Sequence, residues 1–255
     1  MTTTFPFHLN ARHAVVVGAT GGIGSGVCRA LLAGGASVAL VARDMGSLRQ
    51  LEQSLDAPQR TFSASADVTD TYQLAQARDA ILERFGAIDL VVISTGIMVG
   101  SPFEEAIPAD WVSLIDVNLH GLLYAAQTFS SDLIDAASAG GPSDLVLIGS
   151  IGSHIQYPNF SVFNAVSAAI AQLSRTLRSE YGRRGLRVHN IEPGFTRTTF
   201  GRNLRHEAAL QHWRNLEETI NPLDPDDLGR IVALTAAMPA GLNIAEMVVI
   251  PTEQE

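Results

Sequence analysis

Short aliphatic, β-branched runs alternate along the chain with longer stretches in which apolar positions recur every three or four residues. The runs His13–Val17, Ser37–Ala42, Arg60–Ala64, Ile88–Ile93, Asp144–Ile148, Arg187–Ile191 and Met247–Ile250 predict strands. Helical periodicity fills most of the intervals, as in Gly22–Ala33, Thr71–Phe85, Ala109–Ala137 and Phe160–Tyr181. Ala14–Val17 and Leu90–Ile93 are apolar at every position, the pattern of strands covered on both faces. This order predicts an α/β fold: a Rossmann-type, doubly wound parallel sheet of about seven strands, with helices on both faces and right-handed crossovers. No internal repeat, low-complexity stretch or linker divides the chain, so residues 1–255 read as one domain. Residues 198–224 are the least regular part and read as a helical, lid-like insertion.

Composition narrows the chemistry. Of 255 residues, 46% are hydrophobic and 17% charged, enough for a large core and too apolar for a disordered chain. The net charge of -9, with no basic patch, argues against a nucleic-acid partner. The single Cys28 allows neither an internal disulfide nor a cysteine zinc cage. There is no apolar run long enough to span a membrane and no charged-then-apolar leader, so a cytoplasmic protein without a membrane partner is expected. No metal is expected either: His8 and His13, and His206 and His212, are five and six apart, wrong for one helix face. All seventeen basic residues are arginines, and the chain has no lysine. Schiff-base chemistry, a phosphate-gripping lysine and a lysine-tuned acid are therefore excluded.

The first strand runs into Gly18-Ala19-Thr20-Gly21-Gly22-Ile23-Gly24 and then a helix. Glycines at such a turn let the backbone approach a pyrophosphate, which sits among free N–H groups at the helix N-terminus. A tight structural turn alone would also use glycine, but the strand–turn–helix context favours a dinucleotide. The second strand ends Val41-Ala42-Arg43. A small residue followed by arginine suits the 2′-phosphate of NADP(H), although Asp44 follows at once. Asp67 and Val68, after the third strand, are candidates to hold the adenine, by carboxylate and ring packing respectively.

The Gly18/Gly22/Gly24 spacing, Asp67-Val68, Asn118, Ser150, and Pro193-Gly194 followed by Thr198 make the chain resemble the short-chain dehydrogenase/reductase family along nearly its whole length. Asn190-Ile191-Glu192-Pro193-Gly194 and the tail Leu242–Ile244 to Pro251–Gln254 resemble its NADP-preferring serine/3-hydroxy-acid dehydrogenase and clavulanate-aldehyde reductase branch. The resemblance implies a small-molecule substrate, a homo-oligomer (tetramer or dimer) with Ala109–Ala137 and Phe160–Tyr181 as interface helices, and a cofactor site that includes Gly96, Pro193, Gly194 and Thr198. It also implies a Tyr-x-x-x-Lys proton relay 12 or 13 residues after the serine. In this chain the thirteenth residue after Ser150 is Phe163, and Ser167 stands four further on. Phenylalanine has no proton to give, and serine no charge to lower a phenol's pKa. The residues before Gly96, Ile93-Ser94-Thr95, also depart from the family's Asn-Asn-Ala.

Three readings remain open. The favoured one is an NADPH-dependent reductase in specialised metabolism. Its substrate would need no strong proton donor: an imine, an iminium ion or a conjugated carbonyl. Ser150 and Asn118 would position it, Phe163 would offer an apolar or cation–π wall, and His154 and Tyr157 are candidate replacement acids. The second is a non-redox cyclase, dehydratase or isomerase on the same scaffold. The third is a non-catalytic, cofactor-binding homologue.

Overall fold

Strands β1 (His13–Val17), β2 (Ser37–Ala42), β3 (Thr61–Ser65), β4 (Leu90–Ile93), β5 (Ser143–Ile148), β6 (Leu186–Pro193) and β7 (Glu246–Val249) form one parallel sheet in the order β3-β2-β1-β4-β5-β6-β7. The computed structural model describes residues 8–254. β1 and β4 are buried from Ala14 and Leu90 onward because helices cover both sheet faces. The chain starts at the centre, winds outward to β3, then crosses to β4 and continues the other way. The crevice above β1 and β4 is therefore the topological switch point, where α/β sheets bind their ligands.

One face carries α1 (Gly22–Ala33), α2 (Met45–Leu55) and α8 (Pro225–Ala236). The other carries α3 (Thr71–Phe85), α4 (Pro108–Ile115), α5 (Gly121–Ser138) and α6 (Ser161–Tyr181). α1 and α8 approach closely enough that a Cβ on Gly26 would lie 2.3 Å from the Pro225 carbonyl, and one on Gly229 would lie 2.2 Å from the Gly26 carbonyl.

Two local features depart from the sequence pattern. The stretch Ala109–Ala137 is helical throughout, but a π-turn at Asp116–His120 interrupts its α-helical pairing between α4 and α5. Such turns wedge an extra residue into the helix, and here the displaced backbone aims Asn118 at the loop after β4. The segment 198–224 holds a short 3₁₀ turn, Phe200–Asn203, and one helix, α7 (Glu207–Thr219). Its two ends are paired through a parallel bridge between Thr196 and Leu223. Arg197 N–H donates to the Leu223 carbonyl, and Leu223 N–H donates to the Phe195 carbonyl, both at 2.9 Å.

No helix among the described residues is long and apolar enough to cross a membrane.

Candidate functional site

The turn after β1 is built only for glycine at two points. Gly18 has φ +88°, and a Cβ there would lie 2.8 Å from the Thr95 nitrogen. A Cβ on Gly24 would lie 2.1 Å from the Gly18 carbonyl. α1 then starts at Gly22 with no side-chain cap and no acidic residue in its first turn. Gly21, Gly22 and Ile23 line the cavity, so the orphan N–H groups of this helix start face the place where a pyrophosphate would lie. Thr20 is exposed beside the same turn. Thr198 packs its methyl against Gly22, and its Oγ1 accepts from Phe200 N–H at 3.2 Å.

The far end of the cleft carries Arg43, exposed and lining the cavity. Asp44 does not compete with it. Its Oδ1 accepts from Ser47 N–H at 2.8 Å and from the Ser47 hydroxyl at 2.6 Å, capping α2. At Asp67 partial burial works against the charge. Bonds from the Thr69 N–H and hydroxyl and the nearby Arg43 prevail, so the carboxyl sits below the usual range. Val68 is buried against Gly121 of α5.

One cavity of about 310 Å³ spans both ends of the cleft, and its reacting end lies above β4, β5 and β6. Ser150 caps a 3₁₀ turn, Ile151–Ser153; its Oγ accepts from Gly152 N–H at 3.1 Å, which leaves the hydroxyl proton free to donate. Phe163 and Ser167 stand one turn apart on α6, 6% and 4% exposed, and both line the cavity. The Ser167 hydroxyl donates to the Phe163 carbonyl at 2.9 Å, so it closes on its own helix. The Phe163 ring meets Phe200 edge-on at 6.0 Å. Gly96 lies beneath Phe200, and Pro193 and Gly194 form the wall above β6. Ser94 Oγ and Thr95 Oγ1 are buried without a hydrogen-bond partner among the described residues, on a loop that lines the cavity. Two unpartnered hydroxyls next to an uncapped helix start fit a polar, phosphate-bearing cofactor.

Three candidates behave differently from expectation. Asn118 does not present its amide to a substrate. Its Oδ1 accepts from Ile97 N–H at 2.8 Å, and its Nδ2 donates to the Ile97 carbonyl at 2.9 Å, so it fixes the loop after β4. His154 does not line the cavity. Its Nε2 is 2.9 Å from Oε2 of the fully buried Glu192, which also accepts from Ser153, and the ring is 40% exposed. The buried carboxylate on β6 draws the imidazole outward. Tyr157 does line the cavity, but its hydroxyl accepts from Nε2 of Gln254, 97 residues away. Burial pushes its phenol above the ordinary value, Gln254 opposing, which makes it a weak acid.

Sequence reasoning passed over His212 and Gln254. His212 on α7 lines the cavity, stacked edge-on to Tyr157 and tilted against Phe160, each at 5.6 Å. Gln254 is buried, and its Oε1 accepts from Phe195 N–H at 2.8 Å. The amphipathic spacing of α7 marks a packed face but not which polar group on it turns inward. Gln254 falls in the tail that carries the branch resemblance, but nothing local gives its side chain a partner.

Comparison with known proteins agrees with this geometry. The family described as short chain dehydrogenase matches residues 12–209. The chain is 28% identical over 243 residues to "Sulfoacetaldehyde reductase 2" of Chromohalobacter salexigens, covering 94% of each. Among solved structures, the closed form of serine dehydrogenase complexed with NADP+ has a TM-score of 0.84 at 25% identity, over 95% of this chain and 96% of that one. A 3-ketoacyl-(acyl-carrier-protein) reductase from Brucella melitensis complexed with NADH reaches 0.85 at 20% identity, over 95% and 98%, a likeness of fold alone.

Proposed function

Because the chain belongs to the short-chain dehydrogenase family, we propose that it is an NADPH-dependent reductase of substrates that need no built-in proton donor. These are imines, iminium ions or conjugated carbonyls of specialised metabolism. One observation carries the reading: a cofactor cradle of the family's kind opens onto a cavity where Phe163 and Ser167 stand at the relay positions. Gly21, Gly22 and Ile23 would hold the pyrophosphate, Arg43 the 2′-phosphate, Asp67 and Val68 the adenine side, and Ser94, Thr95, Pro193, Gly194 and Thr198 the nicotinamide half. When bound, the cofactor supplies hydride.

The chain's own residues bind and orient. The Ser150 hydroxyl donates to an imine nitrogen or a carbonyl oxygen, its acceptor side being held by Gly152. Phe163 excludes water at the reacting carbon. Asn118 keeps the loop wall at Ile97 in register. General acid catalysis contributes about 10²- to 10⁴-fold, so unactivated ketones should turn over poorly here. An iminium carries its charge already, and an enone takes its proton later from water. The segment around α7 closes over the substrate as a lid. The working form is a cytoplasmic homo-oligomer, supported by exposed Val112 and Leu123 on α4 and α5.

His154 faces Glu192 and not the cavity, which takes this candidate acid from the reductase reading and from a non-redox one alike. Purified protein, NADPH and a panel of cyclic imines, enones and ketones decide the matter by loss of NADPH absorbance. Consumption with imines or enones, and little with ketones, is expected. No consumption with any of them sinks the proposal.

A further inference from the structure

The half of the cavity nearest α7 is walled by rings. Tyr157, Phe160 and His212 form one group, Phe163 and Phe200 a second, and Phe195 meets Trp213 edge-on at 5.1 Å. Met98 and Leu216 add apolar surface. Among the described lining residues Arg43 is the one formal charge, and it belongs to the cofactor end; no carboxylate lines the cavity. An anionic group brought among these rings would lose its water without gaining a counter-charge. A flat ring system, in contrast, fits edge-to-face and offset packing against such walls.

Within this apolar wall stands one unmet polar atom. Nε2 of His212 is buried with no hydrogen-bond partner among the described residues. Burial lowers the pKa of this imidazole below the ordinary histidine value, which favours the neutral ring, in which one nitrogen accepts while the other donates. A buried polar atom without a partner is disfavoured until something pairs with it. His212 rides on α7, so the pairing group would arrive between that helix and α6.

We infer that this half of the cavity takes a flat aromatic substrate without negative charge, bearing a neutral hydrogen-bonding group, such as a hydroxyl, that pairs with Nε2 of His212. The inference rests on the reading that this cavity is the substrate site, and it assigns His212 a role in recognition rather than in hydride chemistry. Two features of the ligand are thus specified independently: its ring by the aromatic walls, its hydroxyl by His212.

Calorimetric titration of the full-length protein, with and without saturating NADP+, tests both. The probes are 6-hydroxychromone, chromone and 3-hydroxypropanoate. The hydroxylated ring should bind about tenfold more tightly than the bare one, the worth of one buried hydrogen bond. His212→Phe should abolish that difference and leave chromone binding unchanged; His212→Gln, which keeps a neutral hydrogen-bonding group, should retain most of it. The acid should give no heat. An acid that binds as tightly as the chromones overturns the proposal, as does absence of binding by both chromones. An equal loss for both chromones in His212→Phe, pointing to packing alone, overturns it too. Because the readout is binding, tight chromone binding without NADPH consumption defeats the reductase reading and leaves this one standing.

Discussion

The two ends of the sheet treat polar side chains in opposite ways. Where the strands begin, Asp144 of β5 is fully buried and accepts from Arg12 Nη2 at 2.6 Å, Arg187 Nη2 at 2.9 Å and His189 Nε2 at 2.8 Å. Arg12 reaches on to Asp89 at 2.5 Å, and Arg187 Nη1 to the carbonyls of Met238 and Pro239 just beyond α8, at 2.7 and 3.0 Å. Five charged or titratable groups, from β5, β6 and the residues just before β1 and β4, thus pair with one another; Arg187 Nε lies 2.7 Å from Asp144 Oδ1 but makes no hydrogen bond. Where the strands end, Ser94, Thr95, Asn190 and His212 keep buried polar atoms without partners among the described residues. A well-connected buried network rigidifies, whereas unpartnered polar atoms beside a cavity can still pair with a ligand. The lower end holds the strands together, and the upper end retains the capacity to bind.

The strongest test of this division rebuilds the upper end. Phe163→Tyr with Ser167→Lys restores the relay that the family resemblance implies, and should raise ketone reduction by about 10²- to 10⁴-fold in steady-state assays. No gain would mean that the cavity is unsuited to hydride transfer, whatever the acid. The next test breaks the lower end. Asp144→Asn leaves Arg187 buried without a carboxylate and Arg12 with Asp89 alone, and should cost about 3–5 kcal/mol in urea unfolding. A loss under about 1 kcal/mol would show that the network is dispensable and erase the contrast.

The same group sets a pH limit. Burial works against the Asp144 charge, but His189, Arg12 and Arg187 together hold the carboxyl below its ordinary value. Its stabilisation is therefore complete above the unfolded pKa of about 3.9 and is lost as pH falls below that toward the folded value. Denaturant midpoints measured across that range should fall in the wild type and stay flatter in Asp144→Asn.

Arg43→Ala should weaken NADPH binding about tenfold, measured by fluorescence titration, while NADH binding stays unchanged, since only the 2′-phosphate contact is removed. Equal losses for both cofactors would remove Arg43 from that role. The smallest effect belongs to neither end. Arg175 meets Glu246 at 2.7 Å on an exposed surface, and Arg175→Ala should leave the urea midpoint nearly unchanged, the baseline against which Asp144 is judged.

Much of the frame was legible because its cause is local. β1 and β2 have the bounds that their buried aliphatic runs predict, and the glycine turn stands where Gly18 and Gly24 require it. The break at Asp116–His120 was not legible, because a π-turn preserves the apolar spacing on either side and shows itself only in backbone geometry. The site was legible by segment and less by atom. Ser150, Tyr157, Phe163 and Ser167 do line one cavity. His154 turned away because its partner, Glu192, lies 38 residues further on and is buried on another strand. His212 and Gln254 take their places through contacts of the same long-range kind, which no periodicity encodes.

The bridge between Thr196 and Leu223 brings the two ends of the α7 segment side by side. A loop whose ends already meet can change length without moving the strands that carry it, although Leu204 and Ala209 anchor this one in the core. Lengthening it costs entropy only logarithmically, about 0.6 kcal/mol per doubling. Exchange of α7 between relatives that keep Thr198, Leu204 and Ala209 is therefore a cheap evolutionary move: it replaces His212, Trp213 and Leu216 as a set while the turn at Gly18 and the network at Asp144 stay untouched. Substrate range can drift on one module while cofactor grip and folding are inherited on the other.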